Sequence, residues 1–147
     1  MRDILFRGKR IDNNEWVTGT PFIEANCCKM ITAVALHPDF VDEGNVYFSE
    51  GFPVRQETVG QYTGLTDKNG KKIFEGDIII FNRGRNLPNT KPRPLPVFWD
   101  ERNVQFTLYE SPFAVLQKDM MHECEVIGNI HDNPELLENN TGKENSI

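Results

Sequence analysis

The stretch from Gln61 to Phe81, QYTGLTDKNGKKIFEGDIIIF, constrains the fold more than any other part of the chain. Val59, Gln61 and Thr63 alternate with Gly60, Tyr62 and Gly64 at the period of two that marks an extended strand. Asp67-Lys68-Asn69-Gly70 follows, and the Asn-Gly pair offers the positive φ, at both positions, that tight hairpin turns require. Lys71 to Glu75 then returns antiparallel with Ile73 facing inward. Gly76 stands alone directly before Asp77, so Glu75-Gly76-Asp77 reads as a corner. Beyond it, Ile78 to Phe81 form a short continuous apolar run, suited to a strand covered on both faces. Strand, turn, strand, corner and strand together are the punctuation of a small antiparallel barrel.

The rest of the chain reads in the same way. Ile4 to Arg10 and Glu15 to Thr20 form a hairpin around Asp12-Asn13-Asn14, with Trp16 anchoring its packed face. Lys29 to Leu36 alternates as a strand that Pro38 ends, and the acidic stretch from His37 to Gly51 is an exposed connection with a short strand at Val46 to Phe48. Four prolines, one glycine and no acid make residues 82–96 a loop, because proline removes ladder donors and fixes φ. Val97 to Trp99 and Val104 to Tyr109 pair around a turn at Asp100 to Asn103, and Val104, Phe106 and Leu108 share one face. Residues 111–121 fit two readings equally, a short helix started by Ser111-Pro112 or an irregular strand. Glu123 to Ile130 is a strand, and Asn133-Pro134-Glu135 opens one helical turn through Leu137.

Three blocks in this reading carry a family resemblance: FRGKRIDNNEW near the start, QYTGLTDKNGKKIFEGDI in the middle and EVIGNIHDNPELL near the end. In that order they resemble the YopX family of phage and prophage proteins, and they span Phe6 to Leu137. The resemblance implies a small, mainly β protein: antiparallel hairpins forming an SH3-like barrel, a β-rich N-terminal part and a short C-terminal helical turn. It implies one domain over residues 1–138, with the barrel core at about 54–132 and residues 139–147 as a flexible tail. It brings no catalytic or ligand-binding residue to carry over.

Composition agrees with a single domain that has its own core, since 147 residues with 38% apolar content suffice for one. No apolar run exceeds four residues, so no helix is expected to cross a membrane. The first ten residues are no secretion signal, and the cytoplasm of the host cell is the expected compartment. Three cysteines, two of them adjacent at 27 and 28, suit reduced thiols better than a disulfide framework or a zinc site.

Nothing in the chain spells out a reaction. His37, His122 and His131 each stand without a recognisable partner. Gly128-Asn129-Ile130-His131-Asp132 superficially resembles the Gly-Asn-His-Asp box of metallophosphatases. The inserted Ile130 breaks that box, and the other metal-binding boxes are missing. Asp132 and Asn133 read as a turn and a helix cap. No Walker loop, nucleophile elbow or Rossmann glycine pattern occurs. The expectation is a protein that is not an enzyme, with no cofactor and no catalytic or metal-binding residue.

A noncatalytic protein-binding or assembly module is therefore expected, with a host or phage protein, or copies of itself, as partner. Tyr62, Phe74 and Trp99 are aromatics that could meet a peptide, although burial explains such residues more often. The alternative is a small-barrel nucleic-acid binder using the basic loop, with Arg83, Arg85, Lys91 and Arg93 as contacts. Sixteen basic against 22 acidic residues give a net charge of −6, the wrong sign for that alternative.

Overall fold

Alternating side chains become strands throughout the described chain. The computed structural model describes residues 3–33, 50–81, 92–108 and 115–138, apart from the side chains of Glu24, Ala33, Glu50 and Met120. Strands β1 (Phe6–Arg10), β2 (Trp16–Glu24), β3 (Cys27–Ala33) and β4 (Glu50–Thr66) are followed by β5 (Lys72–Phe74) and β6 (Asp77–Phe81). Then come β7 (Leu95–Asp100), β8 (Gln105–Leu108), a 3-10 helix (Lys118–Glu123), β9 (Cys124–Asn129) and the single-turn helix α1 (Glu135–Glu138). Every strand pairing is antiparallel. Among the described residues the fold is mainly β with one short α-helix, as the sequence leads one to expect. Two compact units make it up, Met1–Gln61 and Tyr62–Ile147, and β4 runs through the boundary.

In the first unit the pairings β1–β2, β2–β3, β3–β4 and β4–β1 return to the strand they started from. Closure of this kind covers much of the edge that leaves isolated hairpins unstable. Cys28, Met30 and Val54 are buried at its centre, with Phe6, Val17 and Val59 packed against them. β2 is longer than the sequence suggests. It continues through Pro21 to Glu24 because beyond Gly19 it pairs only with β3, and an edge position tolerates a proline. Opposite β1, β4 is bulged: the Lys9 N–H donates to the Thr58 hydroxyl oxygen (2.8 Å), and that hydroxyl donates to the Arg55 carbonyl (2.6 Å).

The second unit holds a four-stranded sheet in the order β8-β7-β6-β9, and β5 pairs with the end of β4. Ile73, Ile79, Val97, Leu108, Leu116, Met121 and Cys124 form its core. The corner at Gly76 is as expected, and its φ is 85°. The Gly76 N–H donates to the Val97 carbonyl (2.9 Å), and the Ile130 N–H donates to the Gly76 carbonyl (2.8 Å). Asp77, a poor strand residue, opens β6 because its buried carboxylate accepts the Phe74 N–H (2.8 Å) and so closes the corner.

The structure corrects several local expectations. At the central turn Gly70 alone has a positive φ (79°), not the Asn69-Gly70 pair. The Gly70 N–H donates to the Asp67 carbonyl (3.0 Å), and the Asp67 carboxylate takes the N–H groups of Asn69 and Lys71 (2.9 Å each). A side chain does what two left-handed residues would have done. Val104 belongs to the β7–β8 turn and not to the strand; its φ is 54°, and β8 begins at Gln105. Of the two readings for 111–121 each holds in part: Val115 makes a single bridge to Thr107, and the 3-10 helix follows from Lys118. The end of the third strand beyond Ala33, the strand at 46–48, loop residues 82–91, residues 111–114 and the tail 139–147 lie outside the described residues.

Candidate functional site

The groups with the most chemical potential are committed to the backbone. Asn129 accepts the N–H groups of His131 (3.0 Å) and Asp132 (2.9 Å) on its Oδ1, and its Nδ2 donates to Asp132 Oδ2 (3.1 Å). Asn133 Oδ1 accepts the Asn129 N–H (3.3 Å), and the Asn133 carbonyl receives the Leu136 N–H (3.1 Å) as α1 begins. The segment that resembles a phosphatase box is thus a turn wound around its own asparagines.

Asp67 is buried in the same structural service. Besides the two turn amides it accepts the Val126 N–H (3.0 Å), tying the β4–β5 turn to β9. Burial opposes its ionisation, but the amides of Val126, Lys71 and Asn69 together outweigh burial and hold the carboxyl below its ordinary range. Beside it, burial first, and then the charges of Asp67, Asp77 and Glu125, push the Cys124 thiol up to about 11. Cys28 is also buried, Cys27 is exposed, and all three thiols are free. Among the described residues no group of three or more His, Cys, Asp or Glu side chains could hold a metal ion.

The three aromatics singled out from the sequence part company. Tyr62 and Phe74 are each only 6% exposed, with ring centroids 5.6 Å apart, and serve packing. Trp99 is 40% exposed. It meets Phe106 edge-on across the β7–β8 pair, centroids 4.9 Å apart. Val104, in that turn, is 71% exposed. The turn is held by Asp100, which accepts the N–H groups of Arg102 (3.0 Å) and Asn103 (3.3 Å) and the side-chain amide of Asn103 (2.8 Å). Sequence reasoning placed Val104 in the strand with Phe106. The available signal was the four-residue connection after an aspartate, a loop whose last residue commonly takes the left-handed region.

Arg93 is exposed just before β7, whereas Arg83, Arg85 and Lys91 lie outside the described residues. On β1, the Arg7 guanidinium lies 4.6 Å and the Lys9 ammonium 5.8 Å from the centroid of the Trp16 ring. Arg10 stacks 4.2 Å over Phe52 and forms a forked pair with Asp12 (2.9 and 2.6 Å). Trp16 is half-buried under cations of its own unit, and β1 spends its positive charge on neighbouring aromatics.

Comparison with known proteins places the chain in a family and beside a solved structure. The sequence model of the family described as YopX protein matches residues 5–138. The chain is also similar to a solved structure, the crystal structure of protein EF1440 from Enterococcus faecalis. The two are 25% identical with a TM-score of 0.67, over 93% of this chain and 99% of that one. No functionally curated protein matches the chain.

Proposed function

We propose that this chain, which belongs to the YopX family, is a noncatalytic binding or assembly module that engages a protein partner through the end of its β7–β8 hairpin. The observation that carries the reading is the exposure of two apolar side chains at one hairpin, Trp99 (40%) on β7 and Val104 (71%) on the hydrogen-bonded turn that follows. A β-branched residue with positive φ is disfavoured by about 1–2 kcal/mol. Such strain at an exposed apolar position suits a contact surface better than a turn selected for stability alone. Tryptophan anchored in an apolar patch is also the residue type that most often dominates protein interfaces.

The proposal places the protein in phage or prophage biology, acting in the host-cell cytoplasm without a cofactor. The partner is a host protein, a phage protein or a second copy of the chain. On the same reading residues 54–132 form an SH3-like barrel, supported by the corner at Gly76 and the bulged pairing of β4 with β5. No described helix is long and apolar enough to cross a membrane. A nucleic-acid function is the second reading, favoured by the exposure of Arg93.

The test is a photo-crosslinking residue placed at position 104, with position 138 as an exposed control. In cells producing the protein, a discrete adduct is expected from position 104 only, and Trp99→Ala should abolish it. Equal labelling from both positions, or none from 104, would sink the proposal.

A further inference from the structure

Asn69-Gly70 is the one Asn-Gly pair in the chain, and it stands in the turn between β4 and β5. Such a pair carries a reaction of its own. The backbone nitrogen of the glycine can attack the side-chain amide carbon of the asparagine, because the glycine has no side chain to hinder the approach. Both residues are exposed, and a Cβ added at Gly70 would meet nothing within 4 Å. Water and base therefore reach the reacting atoms.

The closed turn opposes the attack. The Gly70 N–H donates to the Asp67 carbonyl (3.0 Å), so the attacking nitrogen is tied by its proton. Neither Lys68 nor Asn69 has a positive φ, which makes Asp67 to Gly70 a type I turn. In that turn ψ of its third residue, Asn69, is near about 0°, which carries the Gly70 nitrogen away from the Asn69 side chain. Ring closure needs a rotation about the Asn69 Cα–C bond, and that rotation breaks the turn. Asp67 resists it from both sides. One carboxylate oxygen takes the N–H groups of Asn69 and Lys71 (2.9 Å each), and the other is fixed by the Val126 N–H of β9 (3.0 Å).

We propose that Asn69 is a self-modification site gated by the β4–β5 turn: the closed turn preserves the asparagine, and the open turn lets it convert to aspartate and isoaspartate. The Gly70 nitrogen gives its proton to hydroxide or a water base and bonds to the Asn69 side-chain carbon, whose own C–N bond breaks to release ammonia. Water then adds to either carbonyl of the succinimide ring and breaks one of its two C–N bonds. Neither step is a redox step. Isoaspartate routes the backbone through the side-chain carbons and leaves a free carboxylate. The lengthened turn and the new charge beside Asp67 both oppose closure. Because Asp67 also ties the turn to β9, the modification loosens that tie, and refolding cannot reverse it. The site is separate from the β7–β8 hairpin and does not depend on the role proposed for Trp99.

Peptide mass spectrometry of protein incubated in heavy-oxygen water at mildly alkaline pH follows the conversion, and electron-transfer fragmentation separates isoaspartate from aspartate. The urea-unfolded chain is expected to convert at least about tenfold faster than the folded protein, because opening forfeits more than one net hydrogen bond. Below the unfolding transition, the rate in wild type should rise with urea in proportion to the open fraction reported by hydrogen exchange of the Gly70 amide. Asp67→Ala should speed conversion, whereas Val97→Ala, which weakens the same core and leaves the turn bonds in place, should stay near the wild-type rate. Gly70→Ala should slow conversion even in the unfolded chain. If Asp67→Ala does not fold, the urea series on wild type decides. Equal rates in folded and unfolded protein, a rate independent of Gly70 exchange, or conversion without isoaspartate would overturn the proposal.

Discussion

Asp67 shows how much one side chain does in this protein. Its two oxygens accept three backbone N–H groups, two from its own turn and one from Val126, 59 positions away along the chain. Removing the carboxylate leaves those donors without a partner in a buried setting, so Asp67→Ala should cost roughly 3 kcal/mol or more. Asp67→Asn should cost less, because the amide oxygen can keep either the turn or the β9 contact but not both. Because the folded carboxyl sits below its ordinary value, its stabilising contribution is complete above the unfolded pKa of about 4. It is lost as pH falls through the lower folded value. Urea midpoints measured from pH 7 down to pH 2 should therefore drop in acid for the wild type, and less steeply for Asp67→Asn. An identical acid profile in the two proteins would contradict this role. The sequence shows Asp67 as a turn residue. Its bond to Val126 is invisible there, because no local pattern encodes a contact between segments so far apart.

At the scale of the element, the two hairpin turns of the second unit make opposite predictions. Gly70 has a positive φ, and a Cβ added there would meet nothing within 4 Å. Gly70→Ala should therefore cost about 1–2 kcal/mol from backbone strain alone. Val104 carries the same kind of strain already, so Val104→Gly should stabilise by roughly 0.5–1 kcal/mol after the extra chain entropy of glycine is deducted. Denaturation midpoints with an unchanged denaturant slope would measure both, and a shift of the same sign in the two variants would refute the pair of assignments. These elements also mark what local patterning can reveal. Alternation located the strands, Gly76 located the corner, and Asn133-Pro134 located the start of α1, because each depends on neighbours within a few residues. The Asn-Gly pair misled at Asn69 because Asp67 competes for the same turn amides. Val104 misled because alternation with Phe106 and Leu108 is the pattern of a strand, and only turn geometry places it outside. The return of β4 to β1, as in Arg7↔Gly60, joins residues more than fifty positions apart and leaves no local trace.

Across the whole molecule the question is charge. A net charge of −6 opposes approach to a polyanion, yet residues 82–93 hold Arg83, Arg85, Lys91 and Arg93 with no acid among them. Of the other basic cluster, Arg7 and Lys9 lie against Trp16, while Arg10 is stacked on Phe52 and bonded to Asp12. This partial commitment weakens β1 as a surface for phosphates and leaves the 82–93 segment as the main candidate. Each phosphate contact releases condensed counterions, so true binding would weaken steeply as salt rises. Replacing all four basic residues by alanine would then flatten the slope of log affinity against log salt by up to about four contacts. The expected outcome is negligible binding to single- or double-stranded DNA or RNA at about 150 mM salt, in wild type and quadruple variant alike, because local charge must overcome the field of the whole body. Fluorescence anisotropy with labelled oligonucleotides over a range of salt concentrations measures this directly. Micromolar binding near physiological salt, lost in the quadruple variant, would transfer the function from protein partners to nucleic acid. Binding that survived the quadruple variant but was lost on replacing Lys9 and Arg55 would move the contact to the paired strands β1 and β4.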